Sequence, residues 1–199
     1  MKYYVELTLL PDADMSVYYL WERVYQQVHL ALVEQKEANN RLKIGVSFPD
    51  YRLEKHSLGS KLRVFAETKE QLSSLDLSRW LARLTDYVHC KDVKEVPSEL
   101  KGYGCFKRLF EKGSNERLAR RRAKRLSISY DMALAYFESD KERKQSEKEV
   151  YRFPFITMKS LGSGEKYPLT IGFSETSDLT MSEGFSTYGL ASKSSVPLF

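Results

Sequence analysis

The first half of the chain alternates between strand-like and helix-like patterns of apolar residues. Apolar side chains alternate over residues 2–10, which predicts a strand that ends before Pro11. From Val17 onward they recur at helical spacing, so we expect a helix with one apolar face. The same two periods predict strands over residues 43–48 and 61–67, a helix over 70–84 that breaks near Ser73–Ser74, and a strand over 86–96. The resulting order, β-α-β-β-α-β, is that of the ferredoxin-like split βαβ arrangement.

After Pro97 the periodic segments become shorter. Gly102 and Gly104 are expected to loosen the chain before a helix over residues 115–126. Residues 131–150 are polar and charged, which predicts a surface helix or a linker. The remaining expected elements are strands over 151–159 and 166–173, a tight glycine–serine turn over 160–164 between them, and a last strand or loop over 184–190. The chain as a whole is therefore expected to have an α+β fold.

The composition indicates a folded, globular protein. Of the 199 residues, 42% are hydrophobic and 13% are aromatic, which is enough to bury a sizeable core. No apolar run approaches the length needed to cross a bilayer, and residues 1–5 have a strand pattern, not that of a signal peptide. We therefore expect a cytoplasmic protein without a membrane partner.

Cys90 and Cys105 lack metal-ligand spacing, and without a secretion signal they are not expected to form a disulfide.

Positive charge is concentrated in one segment. Residues 101–125 contain ten basic and two acidic residues, whereas the whole chain has a net charge of +5. The rest of the chain is therefore net negative. A strong local positive potential favours a polyanionic ligand, most commonly a nucleic acid.

Within this segment the basic residues follow helical spacing. The positions that share one face, called the basic row below, are Arg117, Arg120, Arg121, Lys124 and Arg125. The positions suited to packing against a core are Leu118, Ala119, Ala123 and Leu126, with Arg122 between them. Ser114 or Asn115 can cap the helix, with Glu116 in its first turn. The basic row fits the groove of a double-stranded nucleic acid. The alternative is a solvated basic face, against which the lack of acidic partners four residues away counts.

Three histidines are candidates for acid–base chemistry. His56 lies in a polar loop and His89 in a predicted strand, where both are expected to be structural or solvated. His29 lies about 120° from the centre of the apolar face of the first helix, at its rim. A lone rim histidine is usually structural, but its near-neutral pKa suits it to act as a general base if a substrate proton must be removed.

The remaining signals for catalysis are weak when taken singly. The carboxylates do not gather with histidines into a metal-binding pattern, and there is no Walker A motif, so we expect neither a metal nor another cofactor. Ser160 ends a predicted strand beside glycines, where its hydroxyl and nearby backbone N–H groups can meet a phosphate. Tyr188, followed by Gly189, is presented in a similar way.

Five stretches in order, spread over nearly the whole chain, match the pattern of one family. They are Val28–Val33 around His29, Ile44–Pro49, Asn115–Arg122, Pro154–Ser160 and Gly184–Leu190. Together they resemble the CRISPR-associated endoribonucleases of subtype I-F, whose members cut precursor CRISPR RNA at the base of each repeat hairpin.

The resemblance implies two domains and a reaction that needs no metal. A ferredoxin-like domain over residues 1–97 would carry the catalytic histidine. A smaller α+β domain over residues 98–199, with the basic helix 115–126 and the C-terminal strands, would grip the RNA stem. The 2′-hydroxyl of the substrate would attack the adjacent phosphate and leave a 2′,3′-cyclic phosphate and a 5′-hydroxyl.

The resemblance also assigns roles to individual residues. His29 would support proton transfer from the 2′-hydroxyl, Ser160 would hold the nucleotide that carries it, and Tyr188 would help to position the histidine and the scissile phosphate. The implied RNA-binding residues are the basic row along the hairpin phosphates (Arg117, Arg120, Arg121, Lys124 and Arg125), Arg108 on a guanine edge, and Tyr167 stacked on the terminal base pair of the stem.

Members of this family commonly keep the 3′ hairpin of their product and join a crRNA-guided surveillance complex. The expected partners are therefore the repeat hairpin or crRNA and the other protein subunits of that complex. One alternative is a non-catalytic subunit that caps the crRNA hairpin, which would not need His29. Another is a basic ferredoxin-like module with a ribosomal or regulatory RNA partner, which would not need Ser160 and Tyr188.

Overall fold

The computed structural model describes residues 1–37, 39–110, 115–139 and 152–199. Its elements are β1 (Tyr3–Leu9), α1 (Val17–Glu34), β2 (Gly45–Ser47), β3 (Lys61–Ala66), α2 (Lys69–Ser74), α3 (Leu77–Trp80), β4 (Val88–Cys90), β5 (Lys94–Glu95), β6 (Gly102–Leu109), α4 (Asn115–Leu126), α5 (Tyr130–Ser139), β7 (Phe155–Lys159), β8 (Lys166–Thr176) and β9 (Val196–Leu198). The chain divides into two compact units, one of residues 1–108 with 154–199 and one of residues 109–153. The first unit spans both sides of the domain boundary expected after residue 97, and that boundary stays a prediction.

The first sheet is antiparallel and is centred on β1. Its strand order is β2-β3-β1-β4, and β5 pairs with the other end of β1. Alternation along β1 places Val5 and Leu7 in the core. Between them, Glu6 accepts hydrogen bonds from Arg63 at 2.8 Å and Lys91 at 2.7 Å. The predicted strand over residues 2–10 is confirmed.

Helix α1 buries one long face against the core. Its first turn is capped by Ser16, whose hydroxyl accepts a hydrogen bond from the backbone N–H of Tyr19 at 3.3 Å. The buried residues follow the predicted apolar face: Leu20, Trp21, Val24, Tyr25, Val28, Ala31 and Leu32. Trp21 also donates its indole N–H to the carbonyl of Gly59 at 2.9 Å, which fixes the start of the helix against the loop before β3.

The second predicted helix and the fourth predicted strand are both divided. The helix breaks after Ser74, as expected, and Asp76 then caps α3 from a left-handed conformation. The prediction of one continuous strand over residues 86–96 was wrong. The structure has two separate strands there, β4 and β5, and both pair with β1. Between them, the backbone N–H of Lys91 still bonds to the carbonyl of Glu6 at 2.9 Å.

The second sheet has the order β7-β8-β6-β9. The expectation that Gly102 and Gly104 loosen the chain was wrong, since both belong to strand β6. A Cβ at Gly104 would lie 2.5 Å from the ring of Phe173, so glycine permits close packing of this strand. Strand β9 was also missed, because it is only three residues long and contains Pro197.

The second unit contains α4 and α5. The predicted helix over residues 115–126 is confirmed, and Ala119 is fully buried. Leu126 was expected to face a core but is 47% exposed, because it is the last residue of the helix. The guanidinium carbon of Arg122 lies 3.7 Å from the ring centre of Tyr136 on α5. The expected capping side chains of Ser114 and Asn115 lie outside what the structure describes.

Other expectations concern the cysteines and the polar segment. Cys90 and Cys105 are both free thiols. Residues 131–139 of the expected surface helix or linker lie in α5, and residues 140–150 lie outside the described part. Among the described residues, no helix combines the length and the apolar character needed to span a bilayer.

Candidate active site

His29 is held at the rim of α1 by a backbone contact. Its Nδ1 atom lies 2.8 Å from the carbonyl oxygen of Thr187. A carbonyl oxygen can only accept a hydrogen bond, so Nδ1 must carry the proton. In the neutral ring, Nε2 then has a free lone pair that can take a proton from a substrate. The predicted rim position of His29 is confirmed, since its side chain is half-buried.

The ring of Tyr188 covers one face of the imidazole. The two ring centres are 4.2 Å apart and the rings are within 5° of parallel. The backbone beside Tyr188 is fixed, because its carbonyl accepts a hydrogen bond from the buried Tyr25 hydroxyl at 2.8 Å. The next residue, Gly189, has φ +69°, and a Cβ there would lie 2.6 Å from Val46. The loop therefore holds both the carbonyl and the ring that orient His29.

Tyr167 on β8 completes an aromatic cluster with Tyr188. Their hydroxyl oxygens are 2.6 Å apart, which is a short hydrogen bond. Burial and this hydrogen bond raise the pKa of Tyr167 to about 12, so its phenol stays protonated at neutral pH.

Arg108 at the end of β6 places a positive charge beside this cluster. Its guanidinium carbon lies 5.3 Å from the ring centre of Tyr167 and 5.2 Å from that of Tyr188. Burial lowers the pKa of His29 and the charge of Arg108 lowers it further, while the Thr187 carbonyl acts in the opposite direction. The net shift is downward, which favours the neutral imidazole.

Ser160 begins the turn that follows β7. Its hydroxyl accepts a hydrogen bond from the N–H of Ser163 at 3.3 Å, and its carbonyl accepts one from the N–H of Gly164 at 2.8 Å. Strand β7 ends beside α1, where the N–H of Lys159 donates to the side-chain carbonyl of Gln26 at 3.1 Å. The turn thus follows a strand that is tied to the helix carrying His29. Within the described residues, Ser160 makes no hydrogen bond with His29.

The basic row belongs to the second unit. All five of its side chains are exposed on α4, as the spacing predicted. The site residues predicted from the sequence are therefore found in two places. The structure brings together His29, Tyr188, Tyr167 and Arg108, sets Ser160 in the turn after β7, and places the basic row on α4.

Some contacts of this site could not be found from the sequence. Thr187 acts through its backbone carbonyl, which every residue possesses, and it lies 158 positions from His29. Tyr25 resembles any other core aromatic residue of α1.

A metal site requires several ligating side chains grouped around one ion. In the described parts of the chain, no three His, Cys, Asp or Glu side chains are grouped so that they could hold a metal ion.

Comparison with known proteins places the chain in a family. Residues 4–199 match the family described as CRISPR-associated protein (Cas_Csy4). The chain belongs to this family. The resemblance noted in the sequence motifs is thereby confirmed at the level of the family.

Two curated relatives align with this chain over its full length. Both are named CRISPR-associated endonuclease Cas6/Csy4, one from Escherichia coli (strain UTI89 / UPEC) and one from Pseudomonas aeruginosa (strain UCBPP-PA14). Each is 30% identical over 199 residues, which cover 100% of this chain and 100% of the relative. A solved structure described as "An RAMP protein binding different RNA substrates" aligns over 100% of both chains, with 12% identity and a TM-score of 0.36.

Proposed function

We propose that this protein is an endoribonuclease that cuts precursor CRISPR RNA at the base of its repeat hairpin. The observation that carries the proposal is the state of His29. Its Nδ1–H is fixed on the Thr187 carbonyl, its pKa is lowered, and Nε2 is left as the basic atom. Family membership and the names of the two relatives support the substrate class.

The proposed reaction uses the 2′-hydroxyl of the RNA as the nucleophile. Nε2 of His29 removes its proton while the 2′-oxygen forms a bond to the adjacent phosphorus. The bond from phosphorus to the 5′-oxygen of the next nucleotide breaks, and that oxygen takes up a proton. The products are a 2′,3′-cyclic phosphate and a 5′-hydroxyl. In this scheme the nucleophile comes from the substrate, so no metal-bound water has to be generated.

The neighbouring side chains restrict where the imidazole and the RNA can lie. Stacking on Tyr188 and the hydrogen bond to Thr187 fix both the plane and the rotation of the His29 ring. The turn at Ser160 offers a hydroxyl for the nucleotide that carries the attacking 2′-oxygen. Arg108 is suited to the edge of a guanine, and the ring of Tyr167 to the terminal base pair of the stem.

We assign binding of the hairpin stem to the basic row on α4. Five exposed cations on one helix face can contact successive phosphates.

We further propose that the product hairpin stays bound and that the protein joins other subunits of a surveillance complex of subtype I-F. A high affinity that depends on phosphate contacts would make the enzyme single-turnover and sensitive to salt.

We also propose that residues 1–97 form a ferredoxin-like domain and residues 98–199 a smaller α+β domain that binds the stem. Support for the first part comes from the antiparallel strand order β4-β1-β3-β2, with α1 after β1 and α2 and α3 after β3.

The deciding experiment is cleavage of an end-labelled repeat hairpin in excess EDTA. A second hairpin carries a single 2′-deoxy nucleotide immediately 5′ of the cut. We expect the all-RNA hairpin to be cut and the deoxy hairpin to stay intact. Equal cutting of both would exclude attack by the 2′-hydroxyl.

Variants at His29 separate binding from chemistry. His29→Ala should lower the cleavage rate by roughly a hundredfold or more while the dissociation constant of the hairpin stays near wild type. His89→Ala, in an exposed position on β4, is the control. Tight binding without cutting by the wild-type protein, in EDTA or in magnesium, would instead identify a non-catalytic subunit that caps the hairpin.

A further inference from the structure

A second positively charged site lies on the side of α1 away from His29. It is a cavity of about 460 Å³ lined by Arg23, Gln27, Arg79, Trp80, Ala82, Arg83 and Leu84. We call it the arginine–tryptophan cavity. Its residues on α1 lie roughly 120–160° around the helix from His29. Its described lining includes three arginines, and the carboxylates of Glu34 and Asp76 both contact Arg79.

Among the described residues, the guanidinium groups of these three arginines make either no polar contact or only exposed ones. Within the described residues, Arg83 has no hydrogen bond or ion pair. Arg79 contacts Glu34 at 3.3 Å and Asp76 at 3.9 Å, and all three side chains are exposed. Arg23 donates to the hydroxyl of Tyr19 at 2.6 Å. Such exposed pairs contribute little to stability, so a phosphate can replace or join them.

Trp80 lines the cavity with a half-buried indole that also packs against the core. Its indole Nε1 is buried and, in the described part of the chain, has no hydrogen-bond acceptor. The guanidinium carbon of Arg79 lies 5.3 Å from the centre of the Trp80 ring. Aromatic and guanidinium planes are the surfaces on which unpaired bases stack in complexes with single-stranded RNA.

We propose that the arginine–tryptophan cavity binds a nucleotide of the single-stranded RNA that flanks the hairpin. The inference rests on the proposed function, because it takes the flanking strand of that substrate as its ligand. An acidic peptide could be recognised by the positive charge alone, whereas an RNA nucleotide also offers a base that can stack on an aromatic ring. The combination of cationic groups with the Trp80 ring therefore favours RNA. Arg23 also precedes His29 by six residues on the same helix, about 9 Å along its axis, so a strand that leaves the cut lies within reach.

The test measures the affinity of three RNAs for the full-length protein. One is the bare repeat hairpin, one carries ten extra nucleotides on its 5′ side, and one carries ten on its 3′ side. Each has a 2′-deoxy nucleotide at the cut, so that binding is measured without cleavage. The quantity compared is the ratio of the dissociation constants of bare and extended hairpin, measured within each variant.

We expect one of the two extensions to raise the affinity of the wild-type protein. Stacking of a base typically contributes roughly five- to hundredfold in affinity, and each phosphate contact adds about 0.7 to the salt slope. Arg83→Glu should remove most of that gain and Trp80→Ala should remove the stacking part, whereas Trp80→Phe should keep more of it. Lys94→Glu, an exposed charge reversal on β5, is the matched control and should keep the full gain.

Two results would overturn the proposal. One is equal affinity of bare and extended hairpins for the wild-type protein. The other is a gain in affinity that Arg83→Glu leaves unchanged. If poly-glutamate bound in a manner that required Arg83 while the extensions added nothing, the cavity would belong to an acidic protein partner. Failure of the bare hairpin to bind at all would instead contradict the proposed function.

Discussion

The hydroxyl groups of Tyr167 and Tyr188 lie 2.6 Å apart, so the ring that stacks on His29 is tied to a second tyrosine on β8. The contact connects a residue expected to support the RNA stem with a residue expected to position the catalytic base. Since Arg108 lies against both rings, the three side chains form one packed group beside the imidazole.

Tyr167→Phe removes this hydrogen bond and retains the aromatic ring. One hydrogen bond contributes about 0.5–1.5 kcal/mol, so we expect the single-turnover cleavage rate at saturating enzyme to fall by roughly two- to tenfold. The affinity for the hairpin should not change, because the ring can still stack on a base pair. Quenched cleavage and filter binding of the same hairpin measure the two quantities.

Tyr18→Phe is the control for Tyr167→Phe, because Tyr18 is 60% exposed and lies near the start of α1, remote from His29 in the sequence. If Tyr167→Phe cut the hairpin at the wild-type rate, Tyr167 would act through its ring alone. Loss of affinity with an unchanged rate would place the hydroxyl in RNA binding and not in the positioning of Tyr188.

The pH dependence of cleavage should report the lowered pKa of His29. A general base must be neutral, and the ring is neutral above its pKa. Burial lowers that pKa below its ordinary value of 6.5, with a further contribution from Arg108. Cleavage at enzyme concentrations far below saturation should therefore persist at pH 6.5 and decline only at lower pH. The midpoint of that decline belongs to the free enzyme.

Arg108→Gln removes the positive charge that helps to lower the pKa of His29. The midpoint of the acid limb should then rise towards 6.5, even if RNA binding is also weakened, because weaker binding scales the whole profile without moving its midpoint. A midpoint that stays in place would show that Arg108 has no electrostatic effect on His29.

Sequence patterns predicted the elements in which apolar, buried side chains recur at the regular spacing of a strand or a helix. Strand β1 and helix α1 each have a regular apolar face, and the exposed basic row follows directly from charge spacing. The rim position of His29 was predictable for the same reason. The sequence did not indicate β6, because Gly102 and Gly104 resemble a flexible link until the ring of Phe173 is seen packed against the second glycine.

The arrangement around His29 depends on contacts between distant parts of the chain. The carbonyl of Thr187 and the hydroxyl of Tyr25 have no local signature, and the pairing of Tyr167 with Tyr188 requires that β8 and the 184–190 loop meet. The motifs that resemble the family identified the participants, but not the hydrogen bonds that fix the tautomer of the imidazole.

The basic row can be tested separately from the active site. Replacing Arg120 and Arg121 together by alanine should weaken hairpin binding and reduce the slope of log affinity against log salt by up to about two, because two phosphate contacts are lost. The matched control is Arg122→Ala on the same helix, whose guanidinium packs 3.7 Å from the ring centre of Tyr136. That variant should lower the melting temperature and leave the salt slope near wild type. An unchanged slope in the double variant would exclude this helix face from the interface.

Gly104→Ala tests whether β6 needs glycine for packing. The added Cβ would lie 2.5 Å from the Phe173 ring and 3.2 Å from Leu198, so strand β6 or the ring must shift. Overpacking of this kind costs about 1–3 kcal/mol, and we expect the free energy of unfolding in urea to fall by that amount. Gly162→Ala is the matched control, since among the described residues no heavy atom beyond its two chain neighbours lies within 4 Å of the added Cβ. Equal stability of the two variants would mean that the sheet absorbs the methyl group, and that the glycine in β6 is not required by the packing.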